Sequence, residues 1–235
     1  MSKTALVTGA GRRLGLALAH QLIDQSYQVF AHYNRSRDGI DELTERGAIA
    51  IQADFNDSDA VTRLISSLRA HSKQLDLLVN NASCFFNNQR VDDDEHALQA
   101  LFNVHAMTPY KLIRDCQPLL AAADDGLVIN ITDIYAARPN TDYIAYCAAK
   151  AALASLTAAF AKQLAPAVRV NAIEPGPILF LPEHDDKHQQ QVLSETLLQR
   201  EGGLQPVIDA IFSLRDNQFM TGTSIKVDGG RSWMI

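Results

Sequence analysis

Short runs of apolar, often β-branched residues alternate with longer amphipathic stretches along the whole of this chain. The strand-like runs lie at residues 4–8, 28–33, 49–53, 75–80, 127–131, 169–173 and 224–227. Helix-like periodicity occupies residues 14–22, 59–70, 96–120, 143–164 and 206–214. This alternation is typical of repeated βαβ units. It predicts an α/β, doubly wound fold in which a mostly parallel seven-stranded sheet carries helices on both faces.

The gross composition limits the class of protein. A length of 235 residues suits a single domain over residues 1–235, and no break in composition argues for a second one. The formal net charge of −6 argues against nucleic acid or an acidic membrane as the main partner, and no apolar run is long enough to span a membrane. Cys84, Cys116 and Cys147 have no paired or metal-like spacing, and the first strand-like run leaves no room for a signal peptide. We therefore expect a cytoplasmic protein with reduced thiols.

One long segment, at about residues 176–203, has no clear period and is rich in Gln, His and Asp. A loop of this length in a compact domain is usually functional, so we expect a substrate lid; a partly helical surface excursion is the alternative. Residues 183–188 of this segment (Glu-His-Asp-Asp-Lys-His) are of metal-ligand types. Because nothing in the sequence fixes their geometry, we predict a solvated lid and no metal site.

A glycine-rich turn directly follows the first strand-like run. Residues 8–15 read Thr-Gly-Ala-Gly-Arg-Arg-Leu-Gly and open the first helical stretch. Glycines let the backbone turn tightly, and the start of the helix presents unpaired N–H groups to a pyrophosphate. The pattern predicts a Rossmann-like dinucleotide site at Gly9, Arg12, Arg13 and Leu14; a turn without a ligand is the alternative.

The residues after the second strand-like run indicate which dinucleotide is bound. A carboxylate here would accept from the ribose hydroxyls of NAD, whereas cations favour the 2′-phosphate of NADP. Arg35, Ser36 and Arg37 supply donors instead, and a guanidinium group pairs with two phosphate oxygens at once. The sequence thus favours NADPH, a solvated basic loop being the alternative. Further cofactor contacts are predicted at His32, Tyr33, Asn34, Arg35, Ser36, Asp54 and Phe55. Asp54 is the expected adenine contact, or else part of a helix N-cap region.

Four motifs together resemble the short-chain dehydrogenase/reductase family over essentially the whole chain. They are the glycine turn, Asn-Asn-Ala at residues 80–82, the pair Tyr146 and Lys150, and Pro-Gly at residues 175–176. Within that family the chain is similar to pteridine reductases, which carry an arginine in the turn (Arg13) and His-Tyr-x-Arg-Ser after the second strand (residues 32–36). They also carry Asn-Ala-Ser-x-Phe (residues 81–85) and an aspartate in place of the usual serine (Asp133). Residues 178–180 and 183–186 resemble the bacterial branch, the dihydromonapterin reductases.

The resemblance implies that Asp133, Tyr146 and Lys150 are catalytic. Tyr146 and Lys150 are four residues apart and therefore lie on one helix face. The ammonium group of Lys150 is expected to favour the phenolate form of Tyr146. A serine suffices to bond a carbonyl oxygen, but a pterin C=N bond accepts hydride only if its nitrogen receives a proton. Asp133 is expected to deliver that proton, either as a carboxyl group whose pKa burial has raised or through an oriented water. A degenerate site, in which Asp133 only caps the next segment, is the alternative.

The resemblance also assigns the remaining contacts. The cofactor contacts it implies are Asn81, Ala82, Ser83, Tyr146, Lys150, Pro175, Gly176 and Ile178. The substrate contacts it implies are Ser83, Phe85, Asp133, Tyr146 and Pro177. Phe85 is expected to stack on the pterin, although core packing is the alternative for Phe85 and for Phe86. At the position where many family members keep a relay asparagine, this chain has His105.

The sequence therefore predicts an NADPH-dependent enzyme that reduces a 7,8-dihydropterin of the dihydromonapterin or dihydrobiopterin type, with dihydrofolate as a possible further substrate. Hydride is expected at C6 and a proton at N5. A short-chain carbonyl or enoyl reductase and a non-catalytic NADPH-sensing protein are the alternatives on the same fold. The alanine-rich residues 146–165 suit the helix interfaces of family tetramers, so we expect a homotetramer; a tightly packed internal helix would look similar.

Overall fold

The computed structural model describes residues 2–180 and 185–235 of the chain. The strands in this part of the chain are β1 (Thr4–Val7), β2 (Gln28–Tyr33), β3 (Ile49–Gln52), β4 (Leu77–Asn80), β5 (Gly126–Ile131), β6 (Val168–Pro175) and β7 (Ser224–Val227). They form one sheet in the order β3-β2-β1-β4-β5-β6-β7, and each neighbouring pair is parallel. The predicted doubly wound α/β fold is confirmed.

Helices cover both faces of this sheet. In the described residues they are α1 (Arg13–Asp24), α2 (Ile40–Glu45), α3 (Ser58–His71), α4 (Asn88–Asp93), α5 (Glu95–Phe102), α6 (Thr108–Leu120), α7 (Ile144–Leu164), α8 (Asp186–Ser194) and α9 (Gln205–Asp216). One buried cluster joins α1, α2 and α9 to one face of the sheet, and a second joins α3, α6 and α7 to the other. Apolar side chains on both faces explain why the inner strands β1, β4, β5 and β6 are buried on both sides, whereas the edge strands β3 and β7 are partly exposed.

The order of the strands positions the site. The chain leaves β1 towards β2 and β3, then crosses back to β4 on the other side of β1. This reversal opens a crevice beyond the carboxyl ends of β1 and β4, which is where ligands bind in sheets of this type. Thr8, Asn81 and Asp133 follow β1, β4 and β5 and therefore reach the same edge.

The starts of α1 and α3 differ in a way that bears on ligand binding. At α3 the side chain of Asp57 accepts from the backbone N–H of Asp59 at 2.8 Å, a normal N-cap. At α1 the N-cap residue Arg12 makes no side-chain cap, and the first turn carries no acidic residue. The side chain of Arg12 therefore does not cap the start of α1, which is where a pyrophosphate is expected to bind.

The helical stretch predicted at residues 96–120 is interrupted. It consists of α5, a π-helical turn at Asn103–Met107 and α6. A π turn is a wider, rarer form of helix that often lies at functional sites. Here it contains His105, whose ring is 1% exposed.

The segment at residues 176–203 is partly helical. α8 lies within it, and the side chain of Asp185 accepts from the backbone N–H of His188 at 2.7 Å to cap that helix. Residues 181–184 lie outside the described residues, and with them Glu183 and His184 of the 183–188 stretch. The role of this segment as a lid stays a prediction.

The expectation that no apolar run is long enough to span a membrane is wrong by length and composition alone, because helix α7 meets both criteria. Its buried residues include Leu153, Phe160 and Leu164, and it also carries Tyr146 and Lys150 against the end of the sheet. Burial of this kind identifies α7 as a core helix.

Candidate active site

A cavity of about 1780 Å³ lies beyond the carboxyl edge of the sheet, between the ends of β1, β4, β5 and β6 and the side of α8. Most of the predicted site residues line it. They are Gly9, Arg12, Arg13, Leu14, Asn81, Ala82, Ser83, Phe85, Asp133, Tyr146, Lys150, Pro175, Gly176, Pro177 and Ile178. The predicted contacts after β2 and β3 do not line the cavity and lie further along the same edge.

The glycine turn is packed against the loop that follows β4. Gly9 has a φ of +68°, and a Cβ atom there would lie 2.9 Å from the Cα of Ala82. The hydroxyl of Thr8 accepts from the backbone N–H groups of Asn81 and Ala82, both at 2.9 Å, and donates to the carbonyl of Val79 at 3.2 Å. These contacts explain why only glycine fits at position 9.

Arg13 connects the turn to the segment after β6. It is the first residue of α1, and its backbone is in the left-handed region with a φ of +50°. Its guanidinium group donates to the carbonyl of Leu179 at 2.7 Å. One side chain therefore contacts both the predicted phosphate site and the start of the predicted lid.

His32 lies behind the glycine turn. Its Nδ1 accepts from the N–H of Gly9 at 3.1 Å, its Nε2 donates to the carbonyl of Ala53 at 3.0 Å, and its ring stacks on Phe55 at 4.1 Å between centroids. Burial lowers the pKa of His32 to about 4, so the ring is neutral and can accept from Gly9. The structure assigns His32 a bracing contact within the protein, while its predicted contact with the cofactor stays a prediction, as does that of Phe55.

The loop after β2 carries the predicted phosphate donors in an exposed position. Ser36 donates to Asp38 at 2.9 Å, and Arg37 pairs with Asp41 at 2.7 Å. Arg35 is also exposed. Exposed pairs of this kind contribute less than about 1 kcal/mol, so these donors can turn to a phosphate at little cost.

The other predicted contacts after β2 and β3 serve local structure. Tyr33 is buried beside the guanidinium group of Arg37, and the carbonyl of Asn34 accepts from Gln52 at 2.9 Å. Asp54 accepts from the backbone N–H of Asn56 at 2.9 Å and closes a short turn. The N-cap of α3 is therefore Asp57, and Asp54 stays a predicted adenine contact.

Asp133, Tyr146 and Lys150 meet at the floor of the cavity. The hydroxyl of Tyr146 donates to Oδ2 of Asp133 at 2.7 Å, and Oδ1 of Asp133 accepts from the backbone N–H of Tyr135 at 2.9 Å. Lys150 donates to the carbonyl of Ile131 at 2.8 Å, with its Nζ 5.7 Å from the ring centre of Tyr146. The bond to Tyr135 makes Asp133 the N-cap of a short 3₁₀ helix, Ile134–Ala136, but its second oxygen faces Tyr146.

Burial controls the protonation of these three groups. It raises the pKa of Asp133 above its ordinary value, although the ammonium group of Lys150 opposes the shift. It lowers the pKa of Lys150 to about 8, with Asp133 opposing. The pKa of Tyr146 is raised well above 10 by burial and by the carboxyl group of Asp133. The expectation that the lysine favours the tyrosine phenolate is not met in this structure, because burial and Asp133 outweigh it.

Phe85 forms part of the cavity wall. Its ring stacks on Tyr143 at 4.4 Å and meets Tyr146 edge-on at 4.7 Å. The side chain is 38% exposed, whereas Phe86 packs against the buried cluster around Leu101 and Tyr146. Of the two open readings, Phe86 fits core packing and Phe85 fits a stacking surface.

Ser83 is bound to the π-helical turn. Its Oγ lies 3.0 Å from Nε2 of His105, and Nδ1 of His105 lies 3.0 Å from the carbonyl of Leu101. The ring of His105 also packs edge-on against Tyr146 at 5.4 Å. His105 thus lies beside Tyr146, and its place at the position of the family's relay asparagine stays a prediction.

Sequence reasoning missed several residues of the cavity. Tyr143 lies three residues before Tyr146 and carries no motif of its own. Arg231 is 5% exposed and pairs with Glu195 at 2.7 Å, holding the end of α8 beside the cavity. Its partner is 36 residues away in sequence, so no local pattern signals this ion pair.

In residues 2–180 and 185–235 there is no group of three or more His, Cys, Asp or Glu side chains arranged to hold a metal ion. Glu183 and His184 lie outside the described residues, so the expectation about a metal at residues 183–188 stays a prediction.

Comparisons with known proteins agree with this geometry. The model of the short chain dehydrogenase family matches residues 3–191. Dihydromonapterin reductase from Citrobacter koseri is 38% identical over 230 residues, which are 96% of this chain and 95% of that protein. Dihydromonapterin reductase from Klebsiella pneumoniae subsp. pneumoniae is 37% identical over 230 residues, with the same coverage.

A solved structure is similar over nearly the whole chain. The crystal structure of FolM Alternative dihydrofolate reductase 1 from Brucella canis, complexed with NADP, superposes with a TM-score of 0.89 at 33% identity. The superposition covers 98% of this chain and 94% of the Brucella chain. With the strand order, the glycine turn and the buried tyrosine–lysine pair, these matches show that the chain belongs to the short-chain dehydrogenase family and is similar within it to the dihydromonapterin reductases.

Proposed function

We propose that the protein is an NADPH-dependent enzyme that reduces a 7,8-dihydropterin to its tetrahydro form. The observation that carries this proposal is the carboxyl group of Asp133, which lines the cavity floor and accepts a hydrogen bond from the hydroxyl of Tyr146 at 2.7 Å. A hydroxyl would suffice for a carbonyl substrate, whereas a C=N bond needs a proton donor at nitrogen. The similar dihydromonapterin reductases and the NADP in the similar Brucella structure support the same function.

The chain's own residues fit the dinucleotide. The uncapped start of α1, with no acidic residue in its first turn, suits a pyrophosphate, and Arg12 and Arg13 line the cavity beside it. Arg35, Ser36 and Arg37 lie on the loop after β2, where donors suit a 2′-phosphate. When bound, NADPH supplies the hydride that adds to C6 of the pterin.

The protein supplies the proton for N5. A carboxyl group whose pKa is raised by burial retains its proton more readily than an exposed one, and it can pass that proton to N5 directly or through a water. Tyr146 donates a hydrogen bond to the same carboxyl group and holds it in place, and the proton passed to N5 is replaced from solvent. Lys150 adds positive charge beside both groups and is itself fixed by the carbonyl of Ile131.

Phe85 and Tyr143 form the surface on which the pterin ring rests. Their rings stack on each other, and Phe85 also contacts Tyr146, so a flat heterocycle against Phe85 lies beside the proton donors. Pro177 lines the same cavity, and α8 presents His188, Gln191 and Glu195 to it. We infer that residues 176–203 act as a lid whose polar α8 surface faces the substituent of the pterin.

We further infer a cytoplasmic homotetramer. The outward face of α7 carries Ile144, which is 63% exposed, together with small residues such as Ala148 and Ser155. Neighbouring Met107 and Tyr110 at the start of α6 are 50% and 40% exposed. An apolar face of this kind suits association with a second copy of the chain. The free thiols of Cys84, Cys116 and Cys147 suit a reducing compartment.

The function is tested by following NADPH oxidation with dihydromonapterin, dihydrobiopterin and dihydrofolate. We expect turnover of at least one dihydropterin, with much weaker activity when NADH replaces NADPH. A panel of simple ketones and enones serves as the control for a carbonyl or enoyl reductase. Absence of turnover with every dihydropterin would contradict the proposal.

A further inference from the structure

Two hydrogen bonds link the hydroxyl of Ser83, the ring of His105 and the carbonyl of Leu101, and together they fix where the hydroxyl hydrogen of Ser83 points. A neutral imidazole has one N–H donor and one acceptor nitrogen. Because the carbonyl of Leu101 can only accept, Nδ1 of His105 must carry the hydrogen in their 3.0 Å contact. Nε2 is then the acceptor, so Ser83 must be the donor in the second 3.0 Å contact.

The surroundings keep this arrangement in place. His105 is 1% exposed, and burial together with the charge of Lys150 lowers its pKa well below the ordinary value. The ring therefore stays neutral, and both of its nitrogens are engaged by the protein. The oxygen of Ser83 is left with lone pairs and no free hydrogen for any bound molecule.

Ser83 and Phe85 present their side chains to the same space. The segment after β4 is neither helix nor strand at residues 81–87, and its residues alternate between exposed and partly buried from Ser83 to Asn88. Residues two apart in extended backbone point to the same side, and both Ser83 and Phe85 line the cavity. A flat ring resting on Phe85 therefore has one edge towards Tyr146 and another towards Ser83.

We propose that His105 is a positioning residue that makes Ser83 an obligate hydrogen-bond acceptor. The cavity then selects a heterocycle that has an N–H donor at the edge facing Ser83, as the amino-pyrimidine ring of a pterin has. This inference rests on the proposed function, since it needs a pterin against Phe85. A phosphate oxygen without hydrogen would face a second acceptor at Ser83. Ser83 thus serves the substrate and not a phosphate of the cofactor.

The test compares two ligands of the same shape, pterin (2-amino-4-oxo) and lumazine (2,4-dioxo), by measuring their Kd for the enzyme–NADP⁺ complex. Wild type should bind pterin at least about tenfold more tightly than lumazine, because the oxo group leaves two acceptors in contact. His105→Phe keeps an aromatic ring against Tyr146 but removes the acceptor nitrogen. The hydroxyl of Ser83 can then rotate and donate, so the preference for pterin should fall severalfold, mainly through tighter lumazine binding.

Ser83→Ala is the matched control. It should also reduce the preference, and adding His105→Phe to Ser83→Ala should cause no further change, since the two residues act through one hydrogen bond. An unchanged preference in Ser83→Ala, or in a folded His105→Phe, would overturn the inference.

The tautomer gives a readout that does not depend on the folding of His105→Phe. In the ¹⁵N spectrum of histidine-labelled protein, His105 should show a protonated Nδ1 and an unprotonated Nε2, and it is assigned by the shift of its Nε2 signal in Ser83→Ala. A protonated Nε2 would contradict the inference. If wild type turns over no dihydropterin, the proposed function itself fails; normal turnover with an unchanged ligand preference would mean that only this inference is wrong.

Discussion

At the scale of single residues, the chain differs from an ordinary carbonyl reductase at one position. Asp133 follows β5 where a serine hydroxyl would be enough to bond a carbonyl oxygen, and its carboxyl group is bonded to Tyr146. Burial favours its protonated form, while Lys150 favours the charged one. The competition between these two effects decides how readily the carboxyl group gives up a proton.

Asp133→Asn tests this role, because an amide keeps the shape and one acceptor oxygen but carries no transferable proton. We expect turnover of the preferred dihydropterin to fall by about 10²–10⁴-fold, the usual contribution of a general acid. NADPH affinity, measured by fluorescence titration, should stay within about twofold, since no cofactor contact is predicted at Asp133. The exposed Asp124 provides the control, because Asp124→Asn should change neither quantity. Full pterin activity in Asp133→Asn would contradict the proton role.

Burying the ammonium group of Lys150 lowers the free energy of unfolding of the protein at neutral pH. Burial lowers its pKa from 10.5 to about 8, so the folded protein resists the charged form that the unfolded chain prefers. The resulting penalty is fully present below about pH 8 and disappears as pH rises towards 10.5, because only in that interval does the unfolded chain bind the extra proton.

We therefore expect Lys150→Met to raise the free energy of unfolding at pH 7 by about 2 kcal/mol, and the gain should shrink between pH 8 and 10. Turnover should nevertheless be lost, as is common where a site is strained for function. Urea denaturation at pH 7 and at pH 10 measures the difference. A variant less stable than wild type at pH 7 would show that the lysine contributes more through its bond to Ile131 than it loses through burial.

The residues of the site were predictable to different degrees. Tyr146 and Lys150 could be identified from sequence because both lie on one helix, four residues apart, at the carboxyl edge of the predicted sheet. Asp133 was identified by its position relative to them. Tyr143 was missed because it carries no motif of its own, and the Arg231–Glu195 pair was missed because it is brought to the cavity only by packing between distant segments.

At the scale of elements, the start of α1 combines strain with function. Arg13 adopts a left-handed backbone, which non-glycine residues rarely do, and contacts Leu179 beyond the end of β6. Two substitutions separate the effects. Arg13→Gly removes the side chain and the strain, whereas Arg13→Ala removes the side chain and keeps the strain.

We expect both variants to raise the KM for NADPH about tenfold through the loss of the guanidinium group, which is worth roughly 1.5–3 kcal/mol in a charged hydrogen bond. The free energy of unfolding of Arg13→Gly should exceed that of Arg13→Ala by about 1 kcal/mol, so Arg13→Gly should unfold at a higher temperature. Steady-state kinetics and thermal denaturation measure the two effects. Equal stability of the variants would mean that the backbone at position 13 relaxes without its side chain.

The strands and the long helices were predicted from the sequence, and the short helices were not. The inner strands were identified because burial on both faces leaves a nearly continuous apolar run, and the partly exposed edge strands β3 and β7 were identified by their short β-branched runs. α2, α4 and α8 are short and mostly polar, so their periodicity was too weak to read. The π turn was missed because one extra residue per turn does not disturb the apolar pattern of residues 96–120 enough to be recognised.

At the scale of the whole molecule, the exposed face of α6 and α7 is an apolar surface that a single copy leaves uncovered. Ser155 lies exposed in the middle of α7, among other small residues. Ser155→Arg should place a long charged side chain in the proposed contact between copies. Light scattering with size-exclusion chromatography should then show a smaller species than wild type. Ser66→Arg, on the exposed side of α3, is the control and should leave the mass unchanged. A wild-type protein of 25.8 kDa in solution would contradict the tetramer.

The hydrogen bond from Gly9 to His32 makes the glycine turn sensitive to acid. The contact with Gly9 requires an unprotonated nitrogen, and the pKa of His32 is held at about 4 in the folded protein against 6.5 for an ordinary histidine. As pH falls from 6.5 to 4, the unfolded chain takes up a proton that the folded one refuses, so stability is lost across that interval by up to about 3 kcal/mol.

His32→Gln, which does not titrate, should flatten the dependence of unfolding free energy on pH between 6.5 and 4, whereas His96→Gln on the exposed surface of α5 should not. Once His32 is protonated, Gly9 loses its acceptor and the turn loses its fixed shape. The affinity for the dinucleotide should therefore fall as the pH drops through about 4, where acid would release the coenzyme from the molecules that are still folded.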